Sequence, residues 1–293
     1  MARSRPSRGY KSSPNKVREN RHNHRKNSSS APKRQETTHH RWLYGIHAVY
    51  AALENPVRFF ERLVVTAENH PALTQKIAQI SSLHDSEIRK HYPDIEIMGR
   101  QDLTNLLPEG AVHQGLACLP RPLPETSIED LAPAISTHTQ ARVLVLDHVT
   151  DPRNVGAILR SAAAFGVSAL ILQDRHAPPV TGALAKAASG ALELVPMIHV
   201  VNLARALDQL KQWDFWCLGL DGQATQTLAE AAPKGRIAFV LGAEGEGLRR
   251  LTRDHCDLLV KLPIRPEIES LNVSNAAAIS LYELARDLPG TPS

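Results

Sequence analysis

The sequence predicts an α/β protein whose larger, C-terminal part is built on a parallel sheet. Three observations lead there. Six short apolar runs recur between Val143 and Leu262, helical segments fall between most of them, and the most distinctive turns stand where strands end. Continuous apolar strands alternating with helices imply a sheet covered on both faces, which is how parallel sheets are built. A smaller α/β domain precedes this part, and a basic arm precedes both.

The arm comes first in the chain. Residues 1–40 hold eleven Lys and Arg against two acids, a net charge of +9, while the remainder holds 23 basic and 28 acidic residues, a net −5. A cationic arm on a mildly acidic body points to a polyanionic partner, because neutralising phosphates releases their counterions. A solvated tail that keeps the chain soluble fits the same composition. Val17 is nearly its only large aliphatic residue. The arm therefore reads as disordered and not as an amphipathic targeting helix. No stretch approaches the roughly 20 apolar residues of a membrane helix, and the apolar core of a secretory signal is missing. No membrane association is expected. Cys118, Cys217 and Cys256 are far apart and odd in number. They form neither a disulfide framework nor a metal knuckle, so no metal is expected, and they read as core residues of a cytoplasmic protein.

Residues 41–119 read as the small domain. Trp42–Asn55 has helical apolar spacing, with Ile46, Val49, Tyr50 and Leu53 on one face. Strands follow at Arg62–Thr66, Ile95–Met98 and Gly115–Leu119, with helices at Ala72–Leu83 and Asp102–Leu107. Residues 120–124 read PRPLP. Proline fixes φ and lacks the amide donor, so 120–140 reads as a semi-rigid linker. The second domain, 141–293, has strands expected at Val143–Leu146, Ala169–Leu172, Leu194–Ile198, Phe215–Gly219, Ile237–Leu241 and Leu258–Leu262. Its helices are expected at Val155–Phe165, Ala183–Ala188, Leu203–Gln212, Leu228–Ala231, Leu248–Arg253 and Val273–Asp287.

Three segments of this domain carry candidate chemistry, each at a strand end, where open α/β sheets bind ligands. In Leu146–Arg160 (LDHVTDPRNVGAILR), Asp151 suits a helix N-cap and Pro152 the first helical position. Arg153 and Arg160 are seven apart, hence on nearly one face, with Ala157 between them and a bare Gly156 beside it. That stripe leaves room for a phosphate or ribose, and it equally fits two solvated arginines. In Val240–Leu248 (VLGAEGEGL), Gly242, Gly245 and Gly247 surround Glu244 and Glu246. This is neither the dinucleotide fingerprint nor a P-loop, and two acids would repel a pyrophosphate. A ligand with a positive centre matches better, and a plain tight turn remains the alternative. In Leu262–Leu281, an extended loop ends in Leu271–Asn275 (LNVSN), where Asn272 or Ser274 suits an N-cap before a small-residue helix.

In order and spacing, these three segments resemble the sequence motifs of the SpoU (TrmH-like) family of RNA ribose 2′-O-methyltransferases. YGIHAVYAAL at Tyr44–Leu53 resembles the start of that family's RNA-recognition domain. Similarity along the full length is greatest to bacterial members that methylate a guanosine ribose in large-subunit (23S) ribosomal RNA. The loop IRPEIES, with Arg265, Glu267 and Glu269, departs from the smaller residues common in such members.

The resemblance implies a knotted, trefoil (SPOUT-type) catalytic domain and a homodimer, neither of which periodicity reveals. It implies S-adenosylmethionine as cofactor, held by the backbone around Gly242, Leu262 and Leu271. It makes Arg160, Asn154, Glu244 and Asn272 the catalytic set, with Arg153 and Ser274 facing structured RNA. Methyl transfer needs alignment and the loss of a proton from a weakly acidic hydroxyl. A guanidinium stays protonated in proteins, so Arg160 is expected to stabilise developing alkoxide charge, with Glu244 or a substrate phosphate taking the proton. Alternatives are the same chemistry on transfer RNA and a non-catalytic RNA-binding assembly factor; the missing fingerprint disfavours a nucleotide-dependent dehydrogenase.

Overall fold

Apolar residues alternate along the strands and so divide the protein's core between two faces of a sheet. The computed structural model describes residues 41–83, 92–231 and 233–286. The basic arm, and the expected end of the last helix at Asp287, lie outside them.

The first part contains β1 (Leu43–Tyr44), α1 (Ile46–Glu54), β2 (Phe60–Val65), α2 (His70–Leu83), β3 (Ile95–Ile97), α3 (Arg100–Leu106) and β4 (Leu116–Pro120). Its four strands lie in the order β1-β4-β2-β3, with only β2 and β3 parallel. The helix expected from Trp42 begins instead at Ile46. Gly45 has φ 90°, a left-handed conformation that ends the strand and that a side chain would strain. Leu43 and Tyr44 are therefore strand residues, paired with Cys118 and Ala117. Helical spacing alone does not separate them from the helix.

The second part runs α4 (Leu131–Ile135), β5 (Arg142–Leu146), α5 (Pro152–Ala164), β6 (Ala169–Gln173), α6 (Gly182–Ala188), β7 (Met197–Val200), α7 (Leu203–Gln212), β8 (Phe215–Leu220), β9 (Gln226–Thr227), α8 (Leu228–Ala231), β10 (Arg236–Leu241), α9 (Arg250–Asp254), β11 (Leu258–Lys261) and α10 (Val273–Ala285). The seven strands are all parallel, in the order β7-β6-β5-β10-β8-β11-β9. Val143, Val145, Ala238 and Val240 face one side, with Leu203, Leu207 and Leu210 of α7. Leu144, Leu146, Phe239 and Leu241 face the other, with Val155, Ile158 and Leu159 of α5 and Ala277 and Leu281 of α10. Each fully buried aliphatic side chain contributes roughly 1.5–3 kcal/mol, so strands made almost wholly of such residues hold the sheet without polar help.

Two elements differ from expectation. The strand expected at Leu194–Ile198 starts at Met197; Leu194 is 74% exposed, and the proline at 196 has no amide for a ladder. The 120–140 stretch carries α4, whose Leu131 and Ile135 join Ile128 in the core beneath the sheet. Cys118 and Cys217 are core residues, while Cys256 is half-buried against the core; burial pushes Cys217 and Cys256 up to about 12, and Cys118 higher still. Among the described residues, no helix is long and apolar enough to cross a membrane, and no group of three His, Cys, Asp or Glu is placed to hold a metal ion.

Candidate active site

Strand order brings the three motifs together. Although 95 residues separate them in sequence, β10 pairs with β5 so that Leu241 stands opposite Leu146. The loops that follow these two residues therefore leave the same end of the sheet side by side. Strand β11 leaves that end too, beyond β8.

Glu244 is the hub. Its Oε1 accepts hydrogen bonds from Asn154 Nδ2 at 3.1 Å, Asn272 Nδ2 at 2.6 Å and the Val273 amide at 3.2 Å. Asn272 Nδ2 also donates to Asn154 Oδ1 at 3.1 Å. One carboxylate oxygen thus ties the first, second and third motifs, while Oε2 accepts nothing from the described residues. Both helix starts beside it are capped as their sequences allow. Asp151 Oδ1 accepts from the Arg153 amide at 2.8 Å, and Asn272 Oδ1 from the Ser274 amide at 3.0 Å. Asn272 is therefore the cap of α10, and the Ser274 hydroxyl donates to that same oxygen at 2.6 Å. Ser274 keeps its lone pairs as acceptors while its proton is engaged.

The glycine turn closes on itself. The Gly247 amide donates to Ala243 O at 3.0 Å, and Gly245 and Gly247 have φ 83° and 67°. A methyl at Gly242 would stand 2.1 Å from the Gly247 carbonyl carbon. Backbone has no room to yield there, so Gly242→Ala is expected to cost about 1–3 kcal/mol and to lower the thermal midpoint by several degrees, as calorimetry would read. An unchanged midpoint would mean that the turn relaxes freely. From Leu262 to Leu271 the chain is neither helix nor strand, and both leucines are half-buried. That segment presents peptide groups outside any ladder, and the residues that follow it, Asn272 and Val273, reach Glu244 of the turn.

Neither arginine side chain joins the hub's hydrogen bonds among the described residues. Arg153 and Arg160 are both exposed on α5, and Arg160 makes no hydrogen bond or ion pair with the described residues. It lies six residues beyond Asn154, roughly 9 Å along the helix axis. Gly156 does not belong to an open stripe. It is buried, and a methyl there would lie 2.4 Å from Leu184 O. The glycine lets α5 and α6 approach closely; in sequence, a bare position looks the same whether it opens ligand space or admits a neighbouring helix.

Sequence reasoning missed Asp147 and Arg249. Asp147, fully buried at the end of β5, accepts from Arg249 Nε at 2.6 Å and from the Arg249 amide at 3.0 Å. Arg249 Nη2 donates to Gln173 Oε1 at 2.8 Å. This ion pair pins the chain just after the glycine turn to the end of the first motif's strand. An acid at a strand end and an arginine after a glycine turn were the available signals, but nothing local joins them.

Comparison with known proteins settles the family. Residues 141–282 match the model of the SpoU rRNA Methylase family, and residues 42–126 match that of RNA 2′-O ribose methyltransferase substrate binding. The chain is 40% identical over 245 residues to the 23S rRNA (guanosine-2′-O-)-methyltransferase RlmB of Vibrio cholerae, covering 83% of this chain and 96% of that one. The chain belongs to the SpoU rRNA methylase family. Two further SpoU relatives of the same description, from Photorhabdus laumondii and Escherichia coli K12, are 42% and 41% identical, each across 83% of this chain and 97% of theirs. The SpoU fold is evident in solved structures too. The SpoU methyltransferase AviRb from Streptomyces viridochromogenes, in complex with AdoMet, superposes with a TM-score of 0.69 at 21% identity, over 88% of this chain and 93% of that one. An AdoMet-bound rRNA methyltransferase from Sinorhizobium meliloti does so with a TM-score of 0.68 at 19% identity, over 87% and 90%.

Proposed function

We propose that this SpoU-family protein methylates the 2′-hydroxyl of a guanosine ribose in 23S ribosomal RNA, using S-adenosylmethionine. The observation that carries the reading is the Glu244 hub, which joins Asn154 and Asn272 beside the glycine turn. Membership of the family and relatives of one described activity support the substrate.

The residues present fit the cofactor. The turn at Gly242 and the non-ladder segment from Leu262 to Leu271 offer peptide donors and acceptors of the kind an adenine ring requires. Glu244 and Glu246 supply negative charge for a cationic ligand. When bound, S-adenosylmethionine supplies an electrophilic methyl group on a sulfonium, so no metal is needed. The backbone at Gly242, Leu262 and Leu271 holds the cofactor. Asn154 and Asn272, fixed by Glu244, shape the pocket wall. Arg160, exposed and without a hydrogen bond or ion pair among the described residues, stabilises charge developing on the ribose oxygen. Glu244 Oε2 is the carboxylate oxygen left to take the proton. Arg153 and the lone pairs of Ser274 meet the RNA backbone.

The family's trefoil knot and homodimer belong to the same reading. Helix α10 exposes Ile279 (47%) and Tyr282 (58%), one turn apart, as an apolar face for a second copy. The protein works on ribosomal RNA in the cytoplasm, and the +9 arm adds phosphate affinity without sequence preference.

Ribose methylation mapped in ribosomal and transfer RNA, from cells with and without the gene, tests this. One 23S guanosine is expected to lose its 2′-O-methyl group on deletion, with transfer RNA unchanged. Loss confined to transfer RNA, or in neither, would overturn the substrate.

A further inference from the structure

The two domains meet along a seam built to very close tolerances. A methyl at Gly182 would lie 2.2 Å from the Tyr44 ring, and one at Gly190 would lie 2.8 Å from Ala51 Cβ. At one side of this seam sits a charged group that the chemistry does not use. Arg58, before β2, and Glu193, in the turn after α6, pair across the domains at 2.8 Å, with both side chains only 4% exposed. Arg58 engages both carboxylate oxygens through Nε and Nη2, in the forked geometry that fixes direction as well as distance. Asn55 Nδ2 donates to Glu193 Oε2 at 2.6 Å, and Arg58 Nη1 donates to Arg121 O at 2.9 Å, at the start of the interdomain connection.

A buried ion pair is a poor source of stability, because desolvation offsets most of the attraction; its best-attested use is to select one arrangement among several. The surroundings favour that use here. Apolar contact is non-directional, and beside the pair the domains part into a cleft of about 1080 Å³ that Arg58 and Glu193 help to line. At the cleft, where the close packing of the rest of the seam ends, the pair supplies a directional contact between the domains. The pair is also well coupled to the site. Ala191 and Leu192, adjoining Glu193, share a core with Val155, Ile158 and Leu159 of α5, the helix that carries Asn154.

We propose that Arg58, Glu193 and Asn55 are positioning residues that set the angle between the small domain and the reacting pocket, and so decide which ribose is methylated. This rests on the function proposed above, with the small domain gripping RNA. A rigid gauge of this kind selects by distance: RNA held on one domain presents one sugar to the other. Loosening the gauge leaves the pocket intact but brings neighbouring sugars within reach.

The test uses full-length protein carrying Arg58→Met with Glu193→Leu, a volume-conserving apolar exchange chosen to keep the fold. Unmodified 23S rRNA transcript and S-adenosylmethionine are the probes. Cofactor affinity by calorimetry is expected to stay within about twofold of the parent. kcat/KM on the transcript should fall at least about tenfold, since misplacement of about 1 Å at a reacting centre can cost far more. Methyl groups should also appear on riboses flanking the parent's site, a change that mere loss of stability does not produce. A variant with the parent's single site and the parent's kcat/KM overturns the proposal. Should the double variant fail to fold, Glu193→Gln is read by the same criteria. A parent protein that methylates no position in the transcript would instead overturn the underlying function.

Discussion

Arg160→Ala is expected to lower kcat for RNA methylation by about 100- to 1,000-fold, with S-adenosylmethionine affinity changed less than about threefold. Removing one well-placed donor from a site of developing negative charge typically costs that much. The fold should not contribute to the loss. Arg160 is exposed and makes no bond with the described residues, so its truncation orphans nothing and should move stability by no more than about 0.5 kcal/mol. Arg160→Lys keeps the charge but not the planar fork, and should fall between the two. Single-turnover methyl transfer, followed across pH, reads these effects apart from product release. A parent-like rate for Arg160→Ala would remove the arginine from the reaction.

Glu244→Ala is expected to lower kcat/KM by about 100-fold or more and to weaken cofactor binding about tenfold, because positioning losses of this size follow displacement of a reacting centre by about 1 Å. The substitution takes the shared acceptor from Asn154 Nδ2, Asn272 Nδ2 and the Val273 amide together. The loop is exposed, so water replaces part of what is lost, and stability should fall by only about 1 kcal/mol. The activity loss is therefore one of positioning. Glu244→Gln separates positioning from proton transfer. It keeps an oxygen where Oε1 stands but gives up the charge offered to the cationic ligand, so cofactor affinity should fall by only a few-fold while the rate falls further. Full rate in Glu244→Gln would place the proton on another group, such as a substrate phosphate. Parent-like kinetics in Glu244→Ala would remove the hub from the mechanism altogether.

Much of this architecture is local information. Strands such as Val143–Leu146 and Ile237–Leu241 are legible because burial on both faces leaves an unbroken apolar run. The start of α5 is legible because Asp151 and Pro152 are chemically suited to its first turn, and the structure uses both. Gly45 was the local sign that the first helix begins late, and the periodicity of the residues around it masked that sign. Pro196 likewise marked a shifted strand.

By itself, the sequence determined the element types, the three turns at strand ends and the residues held in them, since periodicity, capping and turn chemistry act over a few neighbours. Only the tertiary structure decided what those residues touch. Asn154 meets Glu244 across 90 positions, Arg249 meets Asp147 across 102, and Arg58 meets Glu193 across 135. Such pairings follow from strand order and domain docking, which are set by the burial of the whole core. A charged residue that will be buried against a distant partner has the same local neighbours as one that stays in water.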